Sequence, residues 1–278
     1  MDKIAIISDI HSNLEALKTT LKDIKERGIT NIYCLGDIIA KGTHSHECIE
    51  LIKENCDIVI RGNCDEYYSN DIDLENKNEL ELNRITWNRN KLTEEDIKYL
   101  KDLPYCYEFY MSGRLVRLIH SHPEKIDKFV GNIDKLEKLY ELFLPTSNTI
   151  SDKKADILIY GHVHTPYFQR IYNRTIINVG SVGNSLDVFR NDDKDGDIKN
   201  TTLVNYVILS GNLDSKNIND KISYEIVCLP YDINKELKDN QDNIEYESYE
   251  KELTEGKYRN MTKITESFKL RGIDVEKI

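Results

Sequence analysis

Residues 3–13 read KIAIISDIHSN, and the architecture of the chain starts from them. Lys3–Ser8 is an apolar run of strand length, with Asp9 and His11 directly behind it. From Ser12 to Arg27 the apolar residues Leu14, Leu17, Leu21 and Ile24 recur at helical spacing, and Gly28 supplies a stop. Two more strand-like runs, Asn31–Leu35 and Ile58–Ile60, bracket a helix candidate at His46–Asn55. A βαβαβ start of this kind predicts a parallel sheet with helices packed on it.

The later chain reads differently. Helical patterns are expected over Leu74–Asn90, over Thr93–Leu103, where Thr93 and Asp96 form a capping pair, and over Asn132–Leu144. Phe109–Met111 and Leu115–Ile119 flank Ser112-Gly113 as a hairpin. Ile157–Tyr160, Thr175–Val179, Leu203–Leu209 and Ser223–Leu229 are further strands. The expected fold is α/β, with two packed mixed β-sheets and helices outside. One domain is expected over residues 1–232, followed by a charged, Tyr-rich helical extension over 233–278.

Five clusters of metal-ligating residue types stand just after apolar runs. They are Asp9-Ile10-His11, Gly36-Asp37, Gly62-Asn63-Cys64-Asp65, His120-Ser121-His122 and Gly161-His162-Val163-His164. Five of the seven histidines fall inside them, so the imidazoles are concentrated where strands end. In a doubly wound sheet, ligands gather at the carboxyl ends of strands. Asp, Asn and His together suit two divalent ions, and paired ions cleave phosphate esters.

The ordered pattern resembles the calcineurin-like metallophosphoesterase superfamily, which reads DxH, GDxx(D), GNH(D/E), H and GHxH. It is closest to the bacterial small phosphoesterases that include diadenosine-tetraphosphatase-like proteins. The resemblance runs from about Lys3 to about Gly256, helped by Ile177–Gly183 and by Pro230-Tyr231-Asp232. It implies a four-layer αββα sandwich. It implies one metal on Asp9, His11, Asp37 and His164 and a second on Asp37, Asn63, His120 and His162, with Asp37 shared. Mn²⁺ or Fe is the first expectation, with Zn²⁺, Ni²⁺ or Mg²⁺ also compatible. The implied reaction is hydrolysis of small phosphodiesters or phosphoanhydrides, dinucleoside polyphosphates among them, by a hydroxide bridging the metals.

Two departures stand out. Ala40 replaces the second acid of GDxxD, at a position outside the ligand set. Cys64 replaces the histidine of GNH, which the family associates with phosphate contact and leaving-group protonation. A thiol with a free pKa of ~8.5 is a poor acid, which favours leaving groups needing little protonation. His122 is then a candidate second donor or general acid. With Asp37, Asn63, Cys64 and Asp65 it completes the candidate catalytic set.

Other readings stay open at this point. Asp9 and His11 also fit a polar strand end before a helix cap, since Ser12 and Asn13 are natural N-caps. His162 and His164 alternate, as in an extended segment that points both one way. Cys64, His120 and Asp65 are the types of a cysteine nucleophile with base and acid. A serine/threonine-type protein phosphatase and a non-catalytic metal-binding scaffold remain alternatives. Tyr67 and Tyr68 are candidates to stack on a nucleobase or simply to pack. Lys41 is a candidate phosphate contact or a solvated lysine, and His44 and His46 read as solvent-facing. Asn191–Gly196 starts like a calcium loop, but Thr202 stands where Glu is needed, so an acidic surface loop is expected.

A net charge of −11 argues against a long nucleic acid as partner. The six cysteines form no CxxC pair and read as reduced. Neither a secretory signal nor a membrane-spanning run is visible, so a cytoplasmic location is expected. The oligomeric state is left open.

Overall fold

The computed structural model describes residues 1–72, 74–75, 77–186, 202–258, 266 and 269–270. The acidic stretch 191–196 lies outside them. In chain order the elements are β1 (Asp2–Ile7), α1 (Leu14–Glu26), β2 (Asn31–Cys34), α2 (Ser45–Asn55), β3 (Ile58–Val59), α3 (Asn63–Ser69), α4 (Glu79–Arg89) and α5 (Glu94–Asp102). Then come β4 (Cys106–Met111), β5 (Arg114–Ile119), α6 (Leu136–Glu141), β6 (Ile157–Tyr160), β7 (Tyr167–Ile171), β8 (Arg174–Asn178), β9 (Val204–Gly211), β10 (Ser223–Leu229), α7 (Ile233–Asp239) and α8 (Tyr246–Glu255).

The strands form two five-stranded sheets, ordered β10-β9-β1-β2-β3 and β4-β5-β6-β8-β7. Strands β1, β2 and β3 are parallel, as are β5, β6 and β8; antiparallel strands complete the first sheet on the β10 side and the second sheet at both edges. The period of two in β1 sets the layers. Ile4 and Ile6 pack with Val116, Leu118, Ile157 and Ile159 between the sheets. Ala5 and Ile7 face the other way, onto Leu17, Ile24, Cys48 and Ile52 of α1 and α2. Leu158 and Tyr160 of β6 likewise face Leu139 of α6 and Phe143. The layers are therefore helix, sheet, sheet, helix. Burying each Ile contributes roughly 1.5–3 kcal/mol, and a one-residue slip would turn both faces of β1 over.

Four elements differ from the sequence expectation. β7 was not expected, because it is an edge strand whose polar residues Gln169 and Arg170 break any apolar run. α3 has the polar sequence NCDEYYS and no helical apolar stripe. α4 begins at Glu79 rather than at 74, because Asn78 caps it by accepting from Glu81 N at 2.9 Å. α6 is shorter than 132–144 and ends at Glu141.

Residues 233–258 pack on the rest of the chain. Leu237, Tyr249 and Leu253 form a small core of their own. The buried Glu236 accepts from Glu15 N of α1 at 3.2 Å, and Arg84 of α4 makes a two-pronged pair with Glu245 at 2.6 and 2.9 Å.

Candidate metal centre

Each cluster sits beyond the carboxyl end of its strand: Asp9 after β1, Asp37 after β2, Asn63 after β3, His120 after β5 and His162 after β6. The backbone there is bent hard. Asp9, His11, Asp37, His162 and His164 all have positive φ, between 50 and 65°. Five non-glycine residues in that region at one place indicate strain held by surrounding contacts, a mark of functional sites. His162 and His164 are therefore not alternating on an extended segment. One ring joins Asp37 and His120 and the other joins Asp9 and His11.

Close approach explains two glycines. A Cβ on Gly62 would lie 2.1 Å from Asp37 N and 2.2 Å from Asp37 Oδ1. One on Gly161 would lie 2.1 Å from Ser8 Oγ and 2.5 Å from Asp9 Oδ2.

The histidine tautomers follow from their partners. His11 Nδ1 stands 3.3 Å from Ile39 O, His120 Nδ1 2.8 Å from Leu35 O, and His164 Nδ1 2.5 Å from Asn184 O. A carbonyl only accepts, so each Nδ1 carries a proton, which leaves Nε2 to present the lone pair of the neutral ring; burial opposes the charging of His120, but the charges of Asp37 and Asp9 raise its pKa. These lone pairs converge. His11 Nε2 and His164 Nε2 are 3.1 Å apart, and Asp9 Oδ1 lies 3.2 Å from the latter. His120 Nε2 faces Asn63 Oδ1 at 3.0 Å and Asp37 Oδ1 at 3.5 Å. Asp9 Oδ1 is buried with no hydrogen-bond partner. Acceptors facing acceptors in a buried site repel unless a cation lies among them. The donor set therefore fits divalent ions, and imidazoles backed by carbonyls are the usual support of metal ligands.

The residues fall into two groups around a shared one. Asp9, His11 and His164 form the first, Asp37, His120 and His162 the second. Asp37 Oδ2 reaches to 3.8 Å from His11 Nε2 while its Oδ1 faces His120. Burial holds His162 down to about 3, helped by His120, and holds His11 well below its usual value, helped by Lys41 and His164. Both rings are thus neutral and able to ligate. Burial also pushes Asp37 up, which a bound cation would reverse.

Asp65 has a different task from the catalytic one expected. It is fully buried and receives four backbone N–H groups: Asp37 N at 2.8 Å and Gly62 N at 2.9 Å on Oδ2, Ile38 N at 2.9 Å and Ile39 N at 3.4 Å on Oδ1. It ties the Asp37 loop to the Asn63 loop and is a positioning residue. Burial, then the charge of Asp37, pushes its carboxyl up to about 7 against those donors.

His122 also departs from expectation. Its ring turns to the 124–128 loop, with Nδ1 accepting from Glu124 N and Nε2 beside Lys128 Nζ, both at 3.1 Å. Burial and then Lys128 hold it down to about 4, so the ring is neutral near pH 7 and has no imidazolium proton to give. Cys64 does line the cavity over the ligands, and its N–H donates to Asp37 Oδ1 at 2.7 Å. Burial and then Asp37 push the thiol well up, so it stays neutral. A Cys64–His120–Asp65 relay is absent, because the His120 ring is held by Leu35 O with its Nε2 turned to Asn63 and Asp37, and Asp65 is held by the backbone.

The cavity measures about 200 Å³ and is lined by His11, Asp37, Asn63, Cys64, His162 and His164 with Lys41, Phe129, Val163, Leu186 and Tyr258. Tyr67 and Tyr68 do not line it; Tyr68 is buried in the helical core. Sequence reasoning missed Tyr258, Phe129 and Leu186, which carry no motif. His44 is largely buried, and His46 is half exposed and bonded to Asp96 at 2.9 Å.

A four-layer αββα sandwich with carboxylate–imidazole clusters along one edge is the architecture of metal-dependent phosphoesterases. Residues 2–193 match the calcineurin-like phosphoesterase superfamily domain, and the chain belongs to that superfamily. The uncharacterized protein MJ0912 of Methanocaldococcus jannaschii is 34% identical over 201 residues, which span 66% of this chain and 77% of that protein. A metallophosphoesterase from Sphaerobacter thermophilus superposes with a TM-score of 0.67 at 22% identity, covering 92% of this chain and 99% of that one. The hypothetical protein PH1004 from Pyrococcus horikoshii gives 0.69 at 18% identity, covering 93% and 100%. At such identities the two structures show the shared fold. Among the described residues, no helix is long and apolar enough to cross a membrane.

Proposed function

We propose that this chain is a two-metal hydrolase of small phosphodiesters or phosphoanhydrides, with dinucleoside polyphosphates within its range. The observation that carries the reading is the convergence of histidine Nε2 atoms and carboxylate oxygens on buried points, with Asp9 Oδ1 left without a hydrogen-bond partner. Asp9, His11, Asp37 and His164 would hold one ion, and Asp37, Asn63, His120 and His162 the other. When bound, such ions supply Lewis-acid charge and lower the pKa of water toward neutrality. Mn²⁺ or Fe suits this mixed oxygen and nitrogen set.

The chain's own residues set the preference. Asp65 fixes the two loops that carry Asp37 and Asn63. Cys64 brings a neutral thiol to the cavity wall where the family has a histidine. A thiol held that high protonates a leaving oxygen poorly, so good leaving groups are favoured over alkyl monoesters.

The test is the metal-stripped full chain titrated with Mn²⁺, Fe²⁺, Zn²⁺ and Mg²⁺ and assayed on bis(p-nitrophenyl) phosphate, p-nitrophenyl phosphate and diadenosine tetraphosphate. Metal-dependent turnover of the diester or the dinucleotide is expected, reduced ~10³-fold or more in Asp37→Asn, since metal charge stabilisation is worth several kcal/mol. Absence of both turnover and metal binding would overturn the reading.

A further inference from the structure

The strand-end loops build only part of the cavity. Its remaining wall is apolar and aromatic, from Phe129, Leu186 and Tyr258, with the ammonium of Lys41 beside them. Tyr258 belongs to the segment that follows α8, far outside the five clusters.

The chain that leads to it, from the end of α7 through α8, is fastened to the site at several points. Just past α7, Asn240 Oδ1 accepts from Thr43 N at 2.8 Å, and Asn243 Nδ2 donates to Lys41 O at 2.7 Å. In α8, the fully buried Glu252 accepts from Asn184 Nδ2 at 3.1 Å and stands 3.9 Å from Lys41 Nζ. Lys41 Nζ also donates to Asn184 Oδ1, and Asn184 O is the carbonyl that orients His164. The Tyr258 ring centre lies 5.4 Å from Lys41 Nζ. The extension thus holds the 40–43 turn, fixes one cation beside the ligand clusters and places an aromatic ring next to it.

We propose that Lys41 and Tyr258 form a binding subsite for a planar group esterified to the scissile phosphate. Lys41 serves the phosphate oxygens, and the planar group lies against Tyr258 with Phe129 and Leu186 as the apolar wall. A bare sugar phosphate would leave that wall wet, whereas a flat ring has a face for it. The inference rests on the phosphoesterase reading and adds to it the substrate class: nucleotides or aryl esters.

The test is calorimetric binding of inorganic phosphate, adenosine monophosphate and phenyl phosphate to the Mn²⁺-loaded full chain, in the wild type, Tyr258→Ala, Tyr258→Phe and Lys41→Met. Adenosine monophosphate is expected to bind roughly tenfold tighter than phosphate, the size of one ring-on-ring stack. Tyr258→Ala brings the two affinities together, Tyr258→Phe keeps them apart, and Lys41→Met weakens all three ligands. A matching gain for phenyl phosphate assigns the subsite to any aryl ester, and its absence assigns it to nucleobases. If phosphate binds but adenosine monophosphate gains nothing, or if Tyr258→Ala leaves the ratio as it was, the subsite is refuted while the phosphoesterase reading stands. If phosphate does not bind and no ester is turned over, the phosphoesterase reading fails and the subsite falls with it.

Discussion

Asp65→Asn is a change of one atom type at a fully buried position, and the structure sets its cost. Each carboxylate oxygen accepts two backbone N–H groups. An amide can offer only one oxygen, so its NH₂ must face the other pair. The cheaper choice gives up the Oδ1 side, where Ile38 N is at 2.9 Å but Ile39 N is a longer 3.4 Å. A hydrogen bond to a charged group is worth about 1.5–3 kcal/mol, and a stranded buried N–H costs ~1–3 kcal/mol. Losing one good bond and one weak one, with donors facing donors, therefore costs about 3 kcal/mol. For a chain of this size that is a fall of about 6–12 °C in Tm. The Asp37 loop is what loosens, so divalent-metal affinity should also drop ~10–100-fold, as for other residues supporting a ligand. Differential scanning calorimetry of the metal-free chain, at a pH well above the raised Asp65 pKa of about 7 so that the carboxyl is ionised, and Mn²⁺ titration of the same sample read the two effects. An Asp65→Asn protein with unchanged Tm and unchanged Mn²⁺ affinity would refute the assignment of Asp65 to positioning.

The other predictions address neighbouring features. Gly62→Ala should weaken Mn²⁺ binding at least ~10-fold, because the new Cβ occupies the place of Asp37 N and Oδ1; isothermal titration reads it, and wild-type affinity would count against the close approach. His122→Ala should keep its rate on bis(p-nitrophenyl) phosphate within about threefold, since the ring bonds to Glu124 N and not to the cavity; a ~100-fold loss, the scale of general-acid catalysis, would restore His122 as the acid. Asp96 raises the pKa of His46, so that pair stabilises the fold below the free histidine pKa and the benefit is lost as pH rises through the raised value. His46→Ala should therefore destabilise the chain more at pH 5.5 than at pH 9, by under ~1 kcal/mol because the ring is half exposed; an equal effect at both pH values would contradict it. Mn²⁺ at 100 times its Kd should stabilise the stripped chain by about 2.7 kcal/mol for each ion bound, and urea unfolding with and without the metal measures it.

Much of the fold was legible in the residues themselves. The alternation in Lys3–Ser8 and the helical stripe of Leu14, Leu17, Leu21 and Ile24 depend only on local periods, and they gave the first sheet and its helix layer. The candidate ligand clusters could be placed on one edge because each follows its strand directly, so their common edge is a consequence of parallel strands. Elements without an apolar pattern, such as α3 and β7, were not legible, since their order comes from neighbours rather than from burying a face of their own.

Chemical roles within the clusters needed the tertiary structure. His122 and His164 look alike in sequence, yet Asn184 O turns His164 into the site while Glu124 N and Lys128 turn His122 out of it. Asp65 stands two residues from Asn63 and looks catalytic, but the amides converging on it make it a brace. Tyr258 joins the cavity only because Glu252, Asn243 and Asn240 fasten its segment to the site, through Asn184 and the 40–43 turn. Local spacing determines which residue types arrive at the edge of a sheet. Which ring nitrogen faces inward, and which distant ring closes the cavity, depend on single hydrogen bonds between segments far apart in the chain, and no period in the sequence encodes those.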